Sequence, residues 1–77
     1  MSKTETLQQA KKARLDEIEH YQINIDNYKS AIKLIEQDNE ESMFAFKQQL
    51  EELLSSSLIE QKKASIMLKA IIENLGE

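Results

Sequence analysis

Residues 18–35, IEHYQINIDNYKSAIKLI, decide the fold. Within them Ile18, Tyr21, Ile25, Tyr28, Ile32 and Ile35 are separated by 3, 4, 3, 4 and 3 positions. Alternating steps of three and four hold apolar side chains on one narrow stripe of an α-helix, the seam of a left-handed coiled coil. The segment is therefore a helix that packs lengthwise against another helix.

Outward from this stretch, little opposes continuation of the helix. The chain has no Pro, and its one Gly is Gly76, so neither strong helix breaker interrupts residues 1–75. Ser2-x-x-Glu5 fits a capping box and starts a first helix near Lys3, which runs to about Glu36. Gln37-Asp38-Asn39 is the break. Asp38 and Asn39 are favoured N-caps, Asp38-x-x-Glu41 reads as a second capping box, and Glu40 and Glu41 complement the positive end of a new helix dipole. A second helix then runs from about Asn39 to Leu75, with Gly76 ending it. Each arm of about 35 residues is roughly 52 Å long. Two equal arms and a tight turn predict an all-α antiparallel hairpin, one domain over residues 1–77. The rivals are an unbroken rod through Asp38, and a helix 2 broken at Ser55-Ser56-Ser57, where Ser57-x-x-Glu60 also resembles a cap. Apolar residues on both sides of the serines keep one helical phase, which favours continuity.

The apolar positions distribute unequally. Helix 1 has Leu7 and Ala10 in addition to its ladder. Helix 2 presents about half its circumference, and one coiled-coil seam cannot cover so much. The seam is assigned to Leu7, Ile18, Tyr21, Ile25, Tyr28, Ile32 and Ile35 against Met43, Phe46, Leu50, Leu53, Met67 and Ile71. The surplus, Leu54, Leu58, Leu68, Ile72 and Leu75, is assigned to a partner: a second hairpin that closes a homodimeric four-helix bundle, or an amphipathic helix of another protein. Ile23 and Leu34 on the back of helix 1, with Ile59 and Ile66 on the back of helix 2, read either as ordinary isolated surface residues or as a secondary docking patch.

A turn centred at Asp38-Asn39 sets residue i level with about residue 77 − i. Arg14 and Glu17 then lie level with Ser57 and Glu60. This reads as a polar layer that fixes register, Arg14 pairing with Glu17, Glu60 or both, or else as a solvated gap. Glu17-x-x-His20 is also the ligand spacing of di-iron carboxylate bundles, with Glu60 as the facing carboxylate. These three are weak metal candidates that Arg14 opposes, and the expectation is no metal and no cofactor.

Composition narrows function further. With no Cys, disulfides, thiol catalysis and thiolate zinc sites are excluded. No Gly-rich phosphate loop or nucleophile elbow occurs, so an enzyme is not expected. A chain of 77 residues buries only about 60% of its unfolded surface, which makes association an expected source of stability. No N-terminal apolar targeting segment and no membrane-length apolar run occur, so a cytoplasmic, membrane-free protein is expected. The net charge of −4 disfavours general nucleic-acid binding. Lys3, Lys11, Lys12 and Arg14 nonetheless make the first arm basic, and they are the candidates for phosphate contacts.

The function that these features predict is a non-enzymatic helical protein-binding module of adaptor, chaperone or inhibitor type, bacterial or phage-like, acting through an apolar helix face. In shape and length the chain is similar to the small hairpin co-chaperones of type III secretion needles. It also resembles the helical hairpin dimers of the Rop family in architecture and length, without a shared residue motif. That likeness implies the alternative of a nucleic-acid-binding regulator using the basic arm.

Overall fold

The computed structural model describes residues 2–76. Helix α1 spans Lys3–Asp38, a one-turn 3-10 helix spans Glu41–Met43, and helix α2 spans Phe44–Leu75. The two long helices pack against each other, and the described residues contain no strand. The hairpin measures 56 × 18 × 14 Å, as expected for a helix of this length rising about 1.5 Å per residue.

Local chemistry sets the ends. Ser2 is the N-cap of α1, its Oγ accepting from the Glu5 N–H at 3.1 Å. That satisfies one of the donors left free at a helix start. At the other end Asn39 takes a left-handed conformation, φ 52°, and donates its N–H to the Ile35 carbonyl at 3.0 Å. Asn tolerates this region because its short polar side chain relieves the Cβ clash that most residues meet. Asn39 thus ends α1 rather than beginning α2. Asp38 lies inside α1, so the capping box expected from Asp38 to Glu41 does not form. The second α-helix accordingly begins at Phe44, later than expected, after a 3-10 turn whose own cap, Glu40, makes no side-chain hydrogen bond. Gly76, φ 79°, ends α2 and donates its N–H to the Glu73 carbonyl at 3.1 Å. The three serines do not break α2, which is continuous from Phe44 to Leu75.

Burial defines the seam. On α1 the ladder extends toward the N-terminus, and the seam runs through Leu7, Lys11, Arg14, Ile18, Tyr21, Ile25, Tyr28, Ile32 and Ile35, all buried or half-buried. On α2 the matching stripe is Lys47, Leu50, Leu54, Ser57, Gln61, Ala64, Leu68, Ile71 and Leu75, again in steps of three and four. Ile25 is 1% exposed, Ala64 3%, Leu50 5% and Ser57 9%. Contacts across the seam fix its register. Gln61 Nε2 donates to the Ile18 carbonyl at 3.2 Å and to Gln22 Oε1 at 2.9 Å, and Lys47 Nζ lies 3.7 Å from Glu36 Oε2. Residue i is therefore level with about residue 82 − i, because the turn is centred nearer Glu40 than Asp38. In this register every seam position of α1 meets one of α2: Ile25 meets Ser57, Ile18 meets Ala64, and Ile32 meets Leu50.

The α2 half of the seam is thus displaced from its expected position. Met43, Phe46, Leu53 and Met67 are exposed, whereas Leu54, Leu68 and Leu75, assigned above to a partner, fill the seam inside the hairpin. The physical reason is polarity. Leu50, Ser57, Ala64 and Ile71 belong to both candidate stripes; seating Phe46, Leu53, Glu60 and Met67 beside them would bury the Glu60 carboxylate, whereas Gln61 in the stripe that packs finds two acceptors on α1.

Candidate interaction surface

An antiparallel helix pair has a local two-fold axis normal to its plane, so equivalent rows on the two helices lie side by side. The rows that flank the seam therefore define two faces. On the first face, α1 contributes Ala10, Glu17, Asn24 and Ala31, all half-buried, and α2 contributes Phe46, Leu53, Glu60 and Met67. Phe46, Leu53 and Met67 are about half exposed, at 49%, 47% and 51%. The second face carries Leu15, Gln22 and Lys29 from α1 and Glu51, Leu58, Ser65 and Ile72 from α2. It too holds three large apolar groups, with Leu15 and Leu58 exposed and Ile72 half-buried. Gln61, Gln22, Lys47 and Glu36 tie the helices together along this second face.

The first face is apolar at both ends and polar in the middle. Ala31 and Phe46 lie toward the turn, and Ala10 and Met67 toward the open end. Between them Arg14 Nε sits 3.1 Å from Glu17 Oε2, and Lys63 Nζ 3.0 Å from Glu60 Oε1. Each pair joins residues of one helix. The buried Arg14 Nε has no directed hydrogen bond, since Glu17 lies off its N–H axis; the pair is a charge contact only. Exposed pairs of this kind contribute little stability, on the order of 0.5 kcal/mol.

This arrangement corrects the expected polar layer. Arg14 is level with Leu68 and Ser57 with Ile25. Arg14 and Ser57 therefore lie about 11 residues apart in height, roughly 16 Å at the helical rise. Among the described residues the ion pair of Arg14 is with Glu17. Nor do Glu17, His20 and Glu60 gather: His20 Nε2 lies 3.4 Å from Asn24 Nδ2, and its ring meets Tyr21 edge-on with centroids 6.0 Å apart. Among the described residues no three His, Cys, Asp or Glu side chains are grouped to hold a metal ion.

The remaining candidate residues are dispersed. Ile59 and Ile66 share the outer side of α2, and Ile23 points outward from α1, so with Leu34 they form no common patch, although all four are exposed. Of the partner-binding set, Leu58 is exposed and Ile72 half-buried at the edge of the second face. Of the basic residues, Lys3 and Lys12 are exposed, Lys11 is half-buried in the seam, and Arg14 is paired to Glu17. Surface depressions on α2, such as the one lined by Gln48, Glu51, Glu52, Ser55 and Ser56, are open to solvent. In this one short serines stand between long side chains.

The residue that the sequence reading missed is Gln61. A polar side chain at a seam position carried no apolar signal, yet it bridges the helices. No helix among the described residues is long and apolar enough to cross a membrane. No protein-family model, curated protein or solved structure matches this chain. The class is therefore set by fold alone: a two-helix antiparallel hairpin.

Proposed function

We propose that this chain is a non-enzymatic helical interaction module that binds protein helices through the apolar groups outside its own seam. The occupant is a second copy, which closes a four-helix bundle, or an amphipathic helix of another protein. One observation carries this reading. Among the described residues four apolar side chains are buried, while eleven large ones, Phe46, Leu53 and Met67 among them, are exposed. Phe46, Leu53 and Met67 stand in one row along α2, and apolar groups exposed together in this way mark interaction sites. The basic arm lends less support to nucleic-acid binding, because Arg14 is engaged by Glu17 and Lys11 is half-buried.

The test is a photo-crosslinking residue at Leu53 in the native cell. Protein adducts, to itself or to another chain, are expected at this position and not at Lys12 on the polar side. Absence of any adduct at Leu53 would refute the reading.

A further inference from the structure

We propose that the hairpin has a second register, with α2 one helical turn further toward the open end, and that Glu60 holds the chain in the first. Moving α2 by four residues, roughly 6 Å at the helical rise, sets residue i of α1 against about residue 78 − i. Every seam position of α1 then again meets a row of α2 in steps of three and four. Phe46 meets Ile32, Leu53 meets Ile25 and Met67 meets Lys11. These three α2 side chains are the ones that the first register leaves about half exposed on the first face. In exchange Leu54, Leu68 and Leu75 move to the edge, so apolar burial changes little. Lys47 and Gln61 leave the seam, and one charged side chain, Glu60, enters it opposite Ile18. Two packings of one sequence that differ this little form a bistable element, and helices switch between such packings by one-turn steps. The second face offers no such exchange. Bringing Leu58 and Ile72 into the seam would keep Lys47 and Gln61 there and add Glu51 and Ser65.

Two local features fit the slide. The bend moves to residues 37–41, where Asp38 and Asn39 are favoured N-caps; in the first register Glu40, the cap of the 3-10 helix, makes no side-chain hydrogen bond. Arg14, whose buried Nε lacks a directed hydrogen bond, comes level with Ala64, one turn from Glu60, and so has a carboxylate within reach across the seam. Two costs oppose it. The Glu60 carboxylate must leave Lys63, now 3.0 Å away, and enter an apolar layer. Gln61 must give up its acceptors on α1. The second register is therefore a minor state of this chain. Because it buries Phe46, Leu53 and Met67, a partner that covers them binds the first register only. That link rests on the interaction-module reading, whereas the slide itself does not.

The test is the distance between spin labels at Ala13→Cys and Gln49→Cys, both exposed sites in a chain with no Cys of its own. Labelled chain is diluted into unlabelled chain so that only distances within one hairpin are read. Glu60→Leu removes the opposing carboxylate and should shorten the main distance by about 5 Å, the oblique projection of the slide. The milder Glu60→Gln should enrich the same shorter distance. Adding Phe46→Ser and Leu53→Ser to Glu60→Leu, at sites exposed in the first register, should restore the longer one. A distance unchanged in both Glu60 variants while helical circular dichroism is retained would overturn the proposal, and so would a shorter distance that survives the two serines. With the crosslinker at Leu53, Glu60→Leu should lose its adducts. Adducts retained beside a shortened distance would overturn the link to binding, while adducts absent from the unsubstituted chain would refute the interaction reading and leave the slide standing.

Discussion

Exchanging large for small across the seam tests the register directly. Ile25, 1% exposed, is level with Ser57, 9% exposed. Ile25→Ala removes a fully buried branched side chain between two helices that cannot collapse locally without moving their neighbours. The expected cost is about 3 kcal/mol, within the usual range for such truncations. Unfolding entropy of about 2.1 cal/mol/K per residue over 77 residues converts each kcal/mol to about 6 °C, so the midpoint should fall by about 18 °C. Ser57→Leu alone overpacks the same layer and should cost about 2 kcal/mol, or 12 °C. The double variant restores one large and one small residue to the layer. It should recover at least half of the Ile25→Ala loss rather than show the sum of about 30 °C. The assay is thermal unfolding followed by circular dichroism at fixed protein concentration, because association raises the apparent midpoint. Additive effects in the double variant would refute the reasoning, since residues that share no layer do not couple. Under the register centred at Asp38-Asn39, Ser57 would be level with His20, some five residues from Ile25, and no rescue would follow.

Three further outcomes are expected. Asn39→Ala should destabilise the hairpin by about 1 kcal/mol and Asn39→Gly should not, measured by urea unfolding, because the left-handed conformation penalises a Cβ. Ser2→Ala should cost about 1 kcal/mol or less by removing the hydroxyl that caps α1, with amide exchange rising first in residues 4–6. Arg14→Met should stabilise by about 1 kcal/mol in the same urea assay, because an apolar stem replaces a buried nitrogen without a directed hydrogen bond, level with Leu68.

The first helix was legible because its apolar residues are few and aligned, so only one stripe was available. Its N-cap followed from Ser2 and Glu5 and its place in a hairpin from the break at Asn39. The second helix carried too much of the same signal. Phe46, Leu53 and Met67 repeat at heptad spacing as regularly as Leu54, Leu68 and Leu75 do, and apolarity alone cannot choose between parallel stripes. The stripe that packs contains Lys47, Ser57 and Gln61, which a search for apolar periodicity passes over. What selects it is polarity: Gln61 finds acceptors on α1, where the other stripe would bury the Glu60 carboxylate. The turn was misplaced for a related reason. Asn39 suits both a helix start and a left-handed helix end, and its identity does not say which. From that ambiguity the register slipped by about five residues, and the expected polar layer with it.

The turn at Asn39 also governs the order in which the molecule forms. Level partners beside it, Ile35 and Lys47, are 12 positions apart in the chain, whereas Leu7 and Leu75 at the open end are 68 apart. Loop closure makes first contact at the open end costlier by about 1.5 kcal/mol than at the turn. The helices should therefore close like a zipper from Ile32 and Leu50 outward, each rung shortening the loop for the next. Substitutions beside the turn should slow folding, and substitutions at Leu7 or Ile71 should instead hasten unfolding. One left-handed residue thus fixes both where the chain folds back and which end of the hairpin lets go first.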